Sequence, residues 1–190
     1  DSLENITVWA DWGVGDKKGS VAHFTEMQHP MAKFDTIDEF QNYPYPDPMV
    51  DYDWDEYEKW VAEVKSKDLI AVAGMQITIF VIAWYLRGME KFMIDMVFNT
   101  EWVDYHLDRI TTIRCEIAKR YAQAGSDILM LGDDVSTQLG MMMNPDMWRE
   151  FFKPRLMKVI AAAKSKKPDI MIFYHGDGNL QKIIPDLIEA

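Results

Sequence analysis

Ile128-Leu129-Met130-Leu131-Gly132-Asp133-Asp134 is the stretch whose reading decides the fold. Four consecutive apolar residues between Gly125 and Gly132 are too few for a helix and read as a short buried strand. The segment before it has Trp102, Leu107, Ile110, Ile113, Ile117 and Tyr121 at helical spacing. Asn99-Thr100-Glu101 opens that helix, and Gly125 stands at its C-terminal stop. Beyond the strand, Asn144-Pro145 is a cap followed by proline at the first helical position. The helix carries Trp148, Phe151 and Phe152, is kinked by Pro154 and runs to Lys164. Ile170 to Tyr174 is the next strand, and Leu180 begins the last helix.

The same alternation extends upstream. Trp54, Tyr57, Trp60, Val61 and Val64 predict a helix, and Leu69 to Ala73 a buried strand ending at Gly74. Ile77 to Leu86 is apolar all round, so it is a buried helix or a second strand. Gly88 ends it, and Met89 to Phe98 resumes at helical period. Residues 1–50 read as irregular, with a short strand at Ile6 to Trp9 and turns from Gly13 to Ser20. Tyr43-Pro44-Tyr45-Pro46-Asp47-Pro48 reads as extended and exposed. Short apolar strands alternating with helices imply βαβ units around a parallel sheet, open and doubly wound or closed into a barrel. No Gly-x-Gly-x-x-Gly or Walker-type loop follows a strand, so the usual nucleotide motifs are absent.

Composition narrows the partners. The chain has 190 residues, 48% hydrophobic, with one cysteine, Cys115. That is enough for a core and excludes an internal disulfide. A single thiol suits a cytoplasmic setting. The net charge is −11, and residues 1–60 hold 14 acids against 4 Lys/Arg. A net anion repels nucleic acid and anionic membrane surfaces, and no apolar run approaches the length of a bilayer span. Asp1 at the start and an uncapped helix at the end suggest a fragment of a longer chain.

In either parallel architecture the ligand lies beyond the carboxyl ends of the strands. That rule selects Gly74-Met75-Gln76, Gly132-Asp133-Asp134 with Ser136-Thr137-Gln138, and His175-Gly176-Asp177-Gly178-Asn179. His175 and Asp177 are two apart, so on extended backbone their side chains share a side. They could ligate one divalent metal or form a proton donor–acceptor pair. Equally, Asp177, Gly178 and Asn179 suit a turn and N-cap, with His175 a buried, satisfied imidazole. Asp133 and Asp134 invite a metal, a cation or a shared proton, or else one caps a turn and the other faces water. Arg87 could hold a substrate carboxylate or a structural ion pair. His23, His29 and His106 read as surface or packing residues, and Cys115 as core.

Gly132 to Gln138, followed by Asn144-Pro145-Asp146-Met147-Trp148-Arg149-Glu150-Phe151-Phe152-Lys153-Pro154-Arg155, resembles the uroporphyrinogen decarboxylase superfamily. Trp84 to Glu90, Tyr43 to Pro48 and Ile183 to Glu189 match it too, in the right order, so the likeness covers most of residues 40–190. The resemblance implies a (β/α)8 TIM barrel, present here as a truncated single domain over 1–190, with its site at the carboxyl end. The superfamily includes cofactor-free cytoplasmic decarboxylases. It also includes zinc-dependent methyltransferases that move methyl groups between a corrinoid protein and a thiol or folate. The methyltransferases carry His-x-Cys where this chain has His175-Gly176-Asp177, and a second Cys further on. The decarboxylases' Arg-Gln-Ala-Gly-Arg segment is absent from these 190 residues, because it precedes them or because the protein lacks it.

The resemblance therefore implies methyl transfer on a small substrate, with zinc or another divalent metal on His175 and Asp177. Asp133 or Asp134 would act as orienter or proton acceptor, and Gln138, Arg87, Gln76 and Asn179 would contact the substrate. A corrinoid protein is the implied partner, and a homodimer is admitted. The alternatives are uroporphyrinogen decarboxylation, or a non-catalytic barrel that binds a corrinoid or tetrapyrrole.

Overall fold

The computed structural model describes residues 6–8, 11–18 and 25–190. Trp9 and His23 lie outside the described residues. The chain divides into two compact units, Asp1–Pro46 with Ile82–His106 and Asp47–Val81 with Leu107–Ala190.

The first unit contains an antiparallel sheet of β1 (Ile6–Val8), β2 (Gly15–Lys18) and β3 (Thr25–Gln28), in that order. The irregular reading of this region is corrected: a strand replaces the turns expected after Gly13, with Asp16 opposite Thr7 on one side and Met27 on the other. After α1 (Ile37–Gln41), the unit takes up most of α3 (Phe80–Arg87), all of α4 (Met89–Phe98) and the start of α5 (Thr100–Gln123). Ile77 to Leu86 is thus resolved as a helix that starts at Phe80. Phe40 packs edge-on to Phe34 and His106, with ring centroids 5.4 and 5.7 Å away. His106 is buried, with Nδ1 2.7 Å from the Tyr45 hydroxyl. Burial pushes its imidazole down to about 4, so the ring stays neutral at physiological pH. Its expected packing role is therefore met. The segment from Tyr43 is extended but not wholly exposed, because Pro46 and Pro48 are buried. The Tyr43 hydroxyl donates to the Trp12 carbonyl at 2.6 Å.

The second unit is built on a parallel sheet of β4 (Val72–Met75), β5 (Ile128–Gly132) and β8 (Met171–His175), with β5 central. The register aligns Met75, Leu131 and Tyr174 in one row, and Gly132 with His175 at the carboxyl edge. Ala73, Met75, Leu129 and Leu131 face the core. The opposite face is apolar but open, with Val72 41%, Met171 55% and Phe173 53% exposed. So β5 is buried on one face, not two. No strand among the described residues pairs the outer edge of β4 or β8, and no closed barrel forms among them.

Around this sheet, α2 (Trp54–Ser66) begins at Asp53, whose carboxylate accepts the Glu56 N–H at 2.9 Å. It is tied to the strand ahead by Tyr57, whose hydroxyl meets Ser126 Oγ at 2.8 Å. After the short hairpin β6 (Ser136–Thr137) and β7 (Gly140–Met141), the helix expected at Asn144 forms with the predicted cap, Asn144 Oδ1 accepting the Asp146 N–H at 2.9 Å. At Phe152 it divides into α6 (Pro145–Phe151) and α7 (Lys153–Lys164), because Pro154 fits only the first turn of a new helix. The last helix, α8 (Ile184–Glu189), starts four residues later than Leu180, with Pro185 in its first turn. Cys115 is half-buried and not fully in the core. No helix among the described residues is long and apolar enough to cross a membrane.

Candidate metal centre at the carboxyl edge of the sheet

Two strand ends meet where Gly132 opposes His175. A Cβ on Gly132 would collide with the His175 carbonyl oxygen, so only glycine lets the strands approach this closely. Thr78 stitches β4 to the same point. Its Oγ1 accepts the Gly132 N–H at 2.9 Å and donates to the Met75 carbonyl at 2.7 Å. Arg114 reinforces the turn by donating to the Thr78 carbonyl at 3.0 Å.

Past Gly132 the backbone sends consecutive carboxylates opposite ways. Asp133 is buried and accepts the N–H groups of Ile79 and Val81, each at 2.9 Å, at the N-terminal end of α3. The helix end favours an anion, but burial outweighs it and lifts the carboxyl from 3.8 to about 6. Asp133 is therefore a helix anchor. Its protonated form is favoured on folding, so it contributes stability below about pH 4 that is lost as the pH rises through about 6. We expect the parent protein to gain stability over Asp133→Asn on acidification from pH 7 to 4, measured as urea midpoints. A parallel pair of curves would contradict the burial argument.

Asp134 points to solvent and to the third strand. Its Oδ1 accepts the Asp177 N–H at 2.9 Å. His175 Nε2 is 3.7 Å from Asp177 Oδ1. One donor atom from each of Asp134, His175 and Asp177 lies within 4.8 Å of the others. The loop carrying Asp177 is fastened to β6: Ser136 Oγ donates to the Asp177 carbonyl at 2.7 Å, and the Asn179 N–H donates to the Thr137 carbonyl at 2.8 Å. Gly178 has φ +86, and a Cβ there would meet the Ser136 carbonyl oxygen at 2.8 Å. The chemistry of the donor set fits a divalent ion. Two carboxylates and one imidazole supply three ligands and balance a 2+ charge, leaving coordination positions for water or substrate.

The candidate residues do not all converge here. His175, Asp177 and Asp134 come together, with Asp133 behind them. Gln138 and Asn179 line a neighbouring groove of about 840 Å³, walled by Tyr174, Leu180, Ile184 and Leu187. Burial, and then the nearby Asp133 charge, push the Tyr174 phenol above its usual range. Gln76 lies on the open face of the sheet, its Nε2 3.3 Å from Met130 Sδ. Arg87 is a correction. It is buried, donates through Nε to Asp95 at 2.7 Å, and through Nη1 to the Met31 and Phe34 carbonyls at 2.7 Å each. Those bonds make it a structural clamp rather than a substrate ligand. The sequence reading missed Thr78, and it left open which of Asp133 and Asp134 turns toward His175 and Asp177. Adjacent acids leaving a strand must diverge, which is the one signal that could have separated them.

Likeness to known proteins extends over nearly the whole chain. Residues 17–190 match the family model described as Uroporphyrinogen decarboxylase (URO-D). Over 132 residues the chain is 26% identical to the Methylcobamide:CoM methyltransferase MtaA of Methanosarcina barkeri, covering 70% of this chain and 37% of that protein. The fold is similar to that of a methyltransferase from Methanosarcina mazei, with TM-score 0.69 and 23% identity over 93% of this chain and 50% of that one. The chain thus spans half or less of the length of these relatives. The family match runs through both units and every strand of the parallel sheet, and on it the chain belongs to the uroporphyrinogen decarboxylase (URO-D) family.

Proposed function

We propose that this chain is part of a single (β/α)8 barrel enzyme that transfers a methyl group between a small substrate and a corrinoid. The observation that carries the reading is the convergence of Asp134, His175 and Asp177 at the carboxyl edge of the parallel sheet. A relative whose name specifies methylcobamide and CoM supports the reaction class. In this reading His175 and Asp177 hold a divalent ion, with Asp134 within reach. A bound ion would supply a Lewis acid that lowers the pKa of a coordinated group.

The chain's own residues do the rest. Ser136 and Gly178 hold the Asp177 loop against β6, while Asp133 and Thr78 hold the turn behind Asp134. Gln138 and Asn179 offer amide groups to a substrate in the groove, whose apolar wall excludes water from one side. The single cysteine fits a cytoplasmic setting.

Tetrapyrrole decarboxylation is the weaker reading, since a substrate with many carboxylates calls for cationic partners. The acids here repel anions, and Arg87 is bound to Asp95. The test uses the full-length protein loaded with divalent ion and supplied with methylcobalamin and candidate acceptors. Loss of the methyl–cobalt absorption, abolished by His175→Ala, is expected. Coproporphyrinogen formed from uroporphyrinogen, with no demethylation, would overturn the proposal.

A further inference from the structure

We infer that Asp134 is the third protein ligand of this centre, and that the centre takes a harder divalent ion of the manganese class. The inference rests on the metal-dependent reading above and sharpens it. Its basis is the donor set: two carboxylate oxygens and one imidazole nitrogen within 4.8 Å of one another. Carboxylates suit magnesium, calcium and manganese, whereas thiolates select zinc and softer ions. The imidazole moves the preference away from magnesium and calcium, which take oxygen ligands almost alone. Cys115, the one cysteine of these 190 residues, belongs to α5 and lies outside this group.

The position of Asp134 supports a ligand role over a purely structural one. The local structural duty falls to Asp133, which bonds the N-terminal end of α3. Asp134 engages the loop through one carboxylate oxygen, Oδ1, which accepts the Asp177 N–H. A carboxylate oxygen has further lone pairs, and Oδ2 adds its own, so that bond leaves the group able to ligate. The same bond holds the Asp177 backbone against Asp134, and one oxygen of each carboxylate lies within 4.8 Å of the other and of a His175 ring nitrogen. Two like charges so placed repel, and a cation between them removes the repulsion.

The test is metal titration of the full-length protein, using Mn2+ alone and Cd2+ alone. Bound Mn2+ is read from loss of the six-line resonance of the free aqua ion, and Cd2+ by competition. The parent protein is expected to take one Mn2+ per chain at this site. Asp134→Asn keeps an oxygen to accept the Asp177 N–H and removes only the charge, so the loop should hold its shape. It should weaken Mn2+ binding at least about 10-fold, the loss seen even for residues that only orient a ligand. Asp177→Cys should shift the ratio of Cd2+ to Mn2+ affinity toward Cd2+ by about 10-fold or more.

The failures are distinguishable. If neither ion binds the parent protein, the metal-dependent reading falls with this one. If ions bind and Asp134→Asn leaves Mn2+ affinity unchanged, only the third-ligand assignment falls. If Asp177→Cys leaves the ratio unchanged, the preference for a harder ion falls. Thermal melting of each variant without metal separates loss of a ligand from loss of the fold.

Discussion

Replacing Arg87 by alanine is expected to destabilise the protein by about 3–5 kcal/mol, the usual cost of leaving one member of a buried ion pair alone. Both side chains of the pair are only 5% exposed, and Arg87 Nε lies 2.7 Å from Asp95 Oδ2. The substitution also removes a donor from the Met31 and Phe34 carbonyls, the former keeping the Phe34 N–H at 3.1 Å. Asp95 would remain buried, still bonded to Asn99 Nδ2 at 2.8 Å, with no cation to balance it. The loss should appear as a lower urea midpoint and a weaker near-ultraviolet signal from the aromatic residues around Phe40, over whose ring Arg87 sits at 5.4 Å. Removing both partners together, as Arg87→Met with Asp95→Leu, should recover much of the loss, because it leaves no unpaired charge. A midpoint within error of the parent for Arg87→Ala would restore the substrate-carboxylate role expected from sequence.

The second large effect should come from Gly132→Ala. The added methyl group would collide with the His175 carbonyl oxygen and lie 2.9 Å from its carbon, both backbone atoms that cannot rotate away. Relief requires β5 and β8 to separate at their carboxyl ends, at a cost of about 3 kcal/mol or more, the upper range of overpacking. The same movement would carry His175 away from Asp134 and abolish metal binding in the titration described above. Gly140→Ala measures the cost of backbone strain without a collision. A Cβ at Gly140 meets nothing within 4 Å, so only its backbone conformation, φ +153, is at issue. An alanine at 132 that melts like the parent and binds metal normally would mean that the strand ends separate at little cost and the glycine is not required.

How far the sequence alone could reach depended on the range of the interaction. The helices α2, α5 and α6 announce themselves through local signals, namely apolar spacing and, for the last two, the stop at Gly125 and the cap at Asn144. The three parallel strands are legible as apolar runs, β5 and β8 within one residue of their ends and β4 shifted by up to three. The antiparallel sheet was not, because Gly15-Asp16-Lys17-Lys18 and Thr25-Glu26-Met27-Gln28 carry no apolar alternation. Their pairing is a property of the backbone ladder. The late start of α8 reflects Pro185, which favours the first turn of a helix over its interior.

At the candidate site, the strand-end rule found Asp133, Asp134, His175 and Asp177 because it needs only the order of elements. It could not tell which acid turns inward, since that depends on the free N–H groups of Ile79 and Val81 more than fifty residues away. The two roles open to Arg87 could not be told apart for the same reason. Its acceptors at Met31 and Phe34 are equally remote in sequence.

The open side of the parallel sheet has a practical consequence. Among the described residues, the outer ladder groups of β4 and β8 have no strand beside them, and Val72, Met171 and Phe173 form an exposed apolar patch on the same face of the sheet. Together they make a template onto which other extended peptides can add. Produced on their own, these 190 residues should cling to one another or to chaperones. A soluble, monodisperse preparation would need the sheet covered first.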